Sequence, residues 1–214
     1  MTDDRYAGRR DAWHRLRREI AGIRATPNGY GHPKRLVAMV IVDGQAAEPR
    51  YRASCCGALV VDLVDEGPRF ALHHYSTGSD GERDGLFARV RELSDDRHVV
   101  LGSAHSLEVF VDHCHILLDG LFFLDIIDTD QRIQPAGLTL LSGRNRRMNG
   151  LASTFSLPLS DGSDFRSVEE YASVRAQATW LAYVRGSCDG RLARSLFAAY
   201  RAWQVLERAR PLPF

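Results

Sequence analysis

The run Leu36–Gly44, LVAMVIVDG, constrains this chain more than any other segment. It is almost continuously apolar, it is rich in β-branched residues, and it ends in Asp43-Gly44. A strand of that kind hides side chains on both faces, so further layers must cover it on each side. Two more strand-like runs follow, YRASCCGALVVDLV (51–64) and PRFALHHYST (68–77). The turn-like sequence Asp65-Glu66-Gly67-Pro68 joins them. A link that short requires antiparallel pairing.

Beyond this opening the pattern alternates. Asp80-Gly81 opens an expected helix over roughly 82–94, with Leu86, Phe87, Val90 and Leu93 on one side. RHVVLGS (97–103) reads as a short buried strand, followed by a helix over roughly 106–118 and a buried strand LFFLDIID (121–128). A polar, glycine-containing stretch runs from about 137 to 163. Helices are expected near 165–185 and 189–208. The apolar face of the last carries Leu192, Leu196, Tyr200, Trp203 and Leu206, with Phe197 beside it, and Pro211 and Pro213 close it off. Ahead of everything, the first 25 residues form an expected arginine-rich helix with one narrow stripe, Trp13, Leu16, Ile20 and Ile23. TPNGYGHP (26–33) breaks that helix. The expected organisation is a basic helix and linker over 1–35, then an α/β domain over 36–214 with a three-layer mixed sheet.

Composition narrows the function classes. With 44% hydrophobic and 26% charged residues the 214-residue chain can bury a sizeable core. A net charge of +1 gives no whole-molecule field to recruit a polyanion. No apolar run reaches about 18 residues and the first residues carry no apolar signal core, so a cytoplasmic protein with no membrane attachment is expected. Neither GxGxxG nor GxxxxGK[ST] occurs, which removes those two nucleotide-binding loops. Cys55, Cys56, Cys114 and Cys188 form no CxxC pair and are expected to be reduced thiols. His113 and His115 would point about 200° apart on a helix, and His73 and His74 would face opposite sides of a strand, so zinc is not indicated. The absence of GxSxG removes the nucleophile-elbow hydrolases.

Aspartates at strand ends and helix starts are the chemical feature left. Asp43 ends the first apolar strand, Asp112 lies in the helix after the fourth, Asp128 ends the fifth, and Asp189 opens the last helix. Asp43 also suits a turn before Gly44, and Asp189 suits a helix N-cap. The strand–helix order, with Asp43, Asp112 and Asp189 at those places, resembles the DEDD superfamily of 3′–5′ exonucleases, which has a ribonuclease H-like fold. VVLGSAHSLEVFVD (99–112) is similar to that family's strand, loop and Phe-x-Asp segment, with His105 and Asp112 in matching places. SCDGRLARSLFAAYRAW (187–203) is similar to its terminal helix. The resemblance implies Asp43, Asp112 and Asp189 as ligands of Mg²⁺ or Mn²⁺, with His105 beside them as a further catalytic group. It implies hydrolysis of phosphodiesters from a 3′ end, one cation activating water and the other stabilising the leaving oxygen.

The chain also departs from that family. Gln45 stands where its first motif carries glutamate, and Arg185 and Val184 stand at the two positions of its general base, with Tyr183 displaced by two residues. These departures imply the alternative of a non-catalytic descendant acting as a nucleic-acid-binding or complex-assembly subunit. Residues 1–35 hold nine basic side chains, among them Arg9, Arg10 and Arg17, against four acidic ones. Arg144, Arg146 and Arg147 form a second basic cluster. Such clusters neutralise phosphates without reading sequence. The expected partners are single-stranded DNA or RNA, or a nucleic-acid-processing complex. Docking of the N-terminal helix on a protein partner is the other use for it.

Overall fold

The computed structural model describes residues 32–42, 54–77, 83–103, 105–107, 109–110, 136–141, 153–157 and 168–208. In chain order they form β1 (Arg35–Val42), β2 (Cys55–Val64), β3 (Gly67–Ser76), α1 (Arg83–Ser94), β4 (His98–Leu101), β5 (Gly137–Leu140), α2 (Val168–Ser187) and α3 (Gly190–Arg208). The strands make one mixed sheet in the order β3-β2-β1-β4-β5. β1 runs antiparallel to β2 from Arg35↔Asp62 to Val42↔Cys55, and β2 runs antiparallel to β3. On its other side β1 pairs parallel with β4 from Leu36↔His98 to Met39↔Leu101, and β4 pairs parallel with β5.

Alternation along the strands divides the core in two. Val37, Met39 and Ile41 point to a face covered by Leu86, Phe87 and Val90 of α1 and by Leu107 and Phe110. Leu36 and Ala38 point to the other, covered by Trp180, Leu181 and Val184 of α2 and by Leu196 and Tyr200 of α3. The result is helix, sheet, helix: a three-layer α/β arrangement. All of Leu36–Ile41 is buried, and each large side chain in it contributes roughly 1.5–3 kcal/mol. Register also puts His73 and His74 on opposite faces, as their adjacency on a strand requires.

α2 approaches the sheet unusually closely. Its inner positions are small, with Ala172, Ala176 and Ala178 all buried. A Cβ built on Gly57 of β2 would stand 2.2 Å from the carbonyl carbon of Ala172, and one on Gly102 would stand 2.4 Å from Thr179 Oγ1. The helix therefore crosses the sheet from β2 to β4, and only glycine permits the crossing at both points. α3 folds back along α2. Tyr200 donates to Gln177 Oε1 at 2.6 Å, Gln204 donates to the Tyr200 oxygen at 3.2 Å, and Gln177 donates to the Ser173 carbonyl at 3.2 Å.

Two expectations change, and others fall outside the described residues. Residues 137–140, expected within a polar connection, form β5 at the sheet edge, because Gly137 to Leu140 pair with all four residues of β4. The expected strand at 121–128, the basic helix over 1–25 and much of the helix near 106–118 lie outside the described residues. Leu206 does not join the buried stripe of α3 but is 71% exposed, since the helix has by then passed Phe70, the aromatic against which Tyr200 and Trp203 pack. Cys55, Cys56 and Cys188 form no disulfide. No described helix is long and apolar enough to cross a membrane.

Near the starts of β1 and β4 lie the buried His32 and the half-buried His98. Trp180 Nε1–H donates to His32 Nε2 at 3.0 Å, and His32 Nδ1 lies 2.7 Å from the Pro33 carbonyl oxygen, which fixes a neutral tautomer. His98 shares a 2.8 Å hydrogen bond with Thr139 Oγ1, and burial, aided by nearby His32, pushes its pKa down to about 4. Burial lowers the pKa of His32 as well. An unfolded histidine takes up a proton near 6.5 while folded His98 refuses it until about 4. Stability is therefore full above about 6.5 and falls as pH drops towards 4, by on the order of 3 kcal/mol from His98 alone. Melting temperatures between those pH values should decline for the native chain and decline less for His98→Gln. Urea unfolding of Gly57→Ala should show a loss of at least about 2 kcal/mol, because the added methyl meets helix backbone.

Candidate functional site

From β1 the chain builds β2 and β3 on one side and then crosses to place β4 and β5 on the other. In such sheets a crevice opens outside the carboxyl ends of the two parallel strands where the order reverses, here β1 and β4. β1 ends there at Val42, and β4 ends at Leu101, followed by Gly102, Ser103, His105 and Ser106.

Ser106 holds this corner together. It is fully buried, and its oxygen accepts the Ile41 N–H at 3.1 Å and the Ser103 hydroxyl at 3.0 Å. Its own hydroxyl donates to the Ile41 carbonyl at 3.2 Å, so donor and both lone pairs are satisfied. These bonds serve β1 backbone groups beyond its last β4 pair, Met39↔Leu101. Ser103 in turn caps the helical turn, its oxygen accepting the Ser106 N–H at 3.0 Å. Sequence reasoning did not single out either serine. The Ser-x-x-Ser spacing signals a cap, but the tie to Ile41 spans 65 residues.

His105 sits in that turn, half-buried, with Nε2 enclosed and without a hydrogen-bond partner among the described residues. A buried ring nitrogen without a partner is costly. The expected site residue His105 therefore stands at the end of the parallel strands. Asp43 and Asp112 lie outside the described residues, as do Gln45, Arg9, Arg10, Arg17, Arg144, Arg146 and Arg147.

Asp189 is placed elsewhere. α2 passes Gly102 at Thr179 and runs on for eight residues, about 12 Å, to Ser187. On the way Tyr183 packs against His98, the first residue of β4, and against His32. Asp189 lies past that end and caps α3. Its Oδ1 accepts the Arg191 N–H at 2.8 Å and the Leu192 N–H at 2.9 Å. Those two bonds, Leu192 first, hold its pKa below the usual carboxylate range. His105 thus stands past the carboxyl end of β4, and Asp189 stands past the end of α2 as the N-cap of α3. Among the described residues no three His, Cys, Asp or Glu side chains come together to hold a metal ion.

No protein-family model matches this sequence. No curated protein matches it either. The functional reading therefore rests on the sequence and the geometry.

A capping role and a ligand role for Asp189 respond differently to substitution. Asparagine caps as well as aspartate, whereas alanine does not. Asp189→Asn should keep the native melting temperature and Asp189→Ala should lower it, measured by circular dichroism without added metal.

Proposed function

We propose that this chain is a ribonuclease H-like domain of the DEDD exonuclease type that binds single-stranded nucleic acid rather than hydrolysing it. The antiparallel β1–β3 opening, the parallel β4 and β5, and helices on both faces support the kinship at the level of architecture. The observation that carries the binding reading is the position of Asp189. In the kinship it would share cations with Asp43 and Asp112, yet here its Oδ1 accepts two backbone N–H groups of α3, past the end of α2, which itself runs eight residues beyond the Thr179 that faces Gly102. Neutral Gln45 in place of a glutamate, and Arg185 and Val184 in place of a general base, point the same way.

Mg²⁺ or Mn²⁺ would have to be held in that scheme by three carboxylates at one point. Asp189 is engaged as a cap, and Asp43 and Asp112 lie outside the described residues, so no hydrolytic step is derived through a metal centre. The arginine clusters supply the affinity instead, by neutralising phosphates and releasing counterions.

Fluorescence anisotropy with labelled single-stranded DNA and RNA tests this directly. The expected result is salt-sensitive binding in EDTA, intact strands after incubation with Mn²⁺, and no gain of cleavage in Gln45→Glu. Shortening from the 3′ end with Mn²⁺, abolished by Asp43→Asn or Asp112→Asn, would restore the nuclease reading. Absence of strand binding would remove the proposal altogether.

A further inference from the structure

Arg185 in the last turn of α2 and Arg194 and Arg201 on α3 line one cleft of about 320 Å³, with Phe155 and Phe197 also in its wall. All three arginines are exposed. Elsewhere, Arg35, Arg69, Arg89 and Arg97 each face a carboxylate, Asp96, Glu66, Glu92 and Asp62 respectively. None of the three cleft guanidiniums has such a partner among the described residues. The nearest acid by its effect is Asp189, whose pKa Arg194 helps to lower, but that carboxylate is engaged by the α3 backbone. Three unneutralised cations in one concavity favour an anion.

Geometry narrows the anion. Arg201 lies 4.9 Å over the centroid of the Phe155 ring, which pre-positions its guanidinium while leaving its N–H donors unused. Arg194 and Arg201 are seven residues apart on one helix face, about 10 Å along the axis. A lone phosphate is too small to bridge that row, whereas the repeating phosphates of a strand can meet both arginines. The partly buried Phe197 ring adds an aromatic surface of the kind on which bases stack. We propose that this cleft binds the phosphate backbone of single-stranded nucleic acid. The choice of strand rests on the functional reading above, and the cationic cleft itself does not.

The test measures anisotropy of a labelled oligothymidylate in EDTA across a salt series, so that hydrolysis plays no part. Each phosphate contact contributes about 0.7 to the slope of log affinity against log salt for single strands. Arg194→Gln/Arg201→Gln should weaken binding and reduce that slope by about 1.4, with an unchanged melting temperature. Arg69→Gln/Arg89→Gln, which removes arginines already paired with Glu66 and Glu92, should leave the slope as it was. Binding by the native chain that is untouched in the cleft variant overturns the cleft and leaves the nucleic-acid reading standing. No binding by the native chain overturns both. If the cleft variant loses affinity for adenosine monophosphate or poly-glutamate but keeps the strand, the cleft serves a small phosphate or an acidic protein, and the proposal falls.

Discussion

The rest of the structure depends on the complete enclosure of β1. Its backbone is hydrogen-bonded on one side to β2 and on the other to β4, and its side chains are covered above and below. A strand with neither edge nor face exposed needs a hydrogen-bonding neighbour on each side, and here one is the antiparallel β2 and the other the parallel β4. The pairing with β4 makes the sheet mixed and puts the point where the chain order reverses between β1 and β4. His105 follows the end of β4 at that point. Ser106 completes the enclosure where β4 has ended, by bonding to both backbone groups of Ile41.

The second constraint is how near α2 lies to the sheet. Glycine at 57 and 102 lets helix backbone and a threonine hydroxyl occupy space that a methyl would take. With the helix fixed over β2 and β4, its length decides where the α2–α3 junction falls. That geometry sets Asp189 beyond the end of α2, past its passage over Gly102. Sequence proximity to a helix start told correctly what its carboxylate does locally, as an N-cap, while its long-range position depended on two glycines far off in the chain.

This separates what was legible in the sequence from what was not. β1 to β3, α1, β4 and the two terminal helices could be read because burial on one or both faces writes a period into the residues themselves. β5 could not. Its four residues, Gly137 to Leu140, hold two buried leucines separated by Thr139, and pairing with β4 alone makes them a strand. Leu206 continues the apolar spacing of α3, yet what covers a helix face is decided by neighbours such as Phe70, not by spacing. In the site, His105 stood out through its neighbours in the chain. Ser103 and Ser106 did not, because their partner Ile41 is remote in sequence and polar bonds of that range leave no periodic trace.

Arginine content illustrates the same limit in electrostatic form. Nearly all the positive charge of this chain is arginine, with Lys34 the single lysine, and a count says nothing about purpose. Pairing does. The exposed pairs Arg69–Glu66 and Arg89–Glu92 are three residues apart in sequence and contribute little to stability in water. Arg97–Asp62 is more enclosed, at 3.4 Å, but leaves Asp62 Oδ1 and Arg97 Nε unbonded, so much of its attraction is offset by lost hydration. Each of these pairs neutralises its own charge, and none can attract a distant polyanion strongly. Arg185, Arg194 and Arg201 differ because no carboxylate among the described residues pairs with them, and only Arg201 gains a contact within the fold, over the Phe155 ring. Such an arrangement lowers its free energy when an anion arrives from outside. The pairing of the arginines, more than their abundance, is therefore the ground on which an anionic partner is proposed for this α/β scaffold.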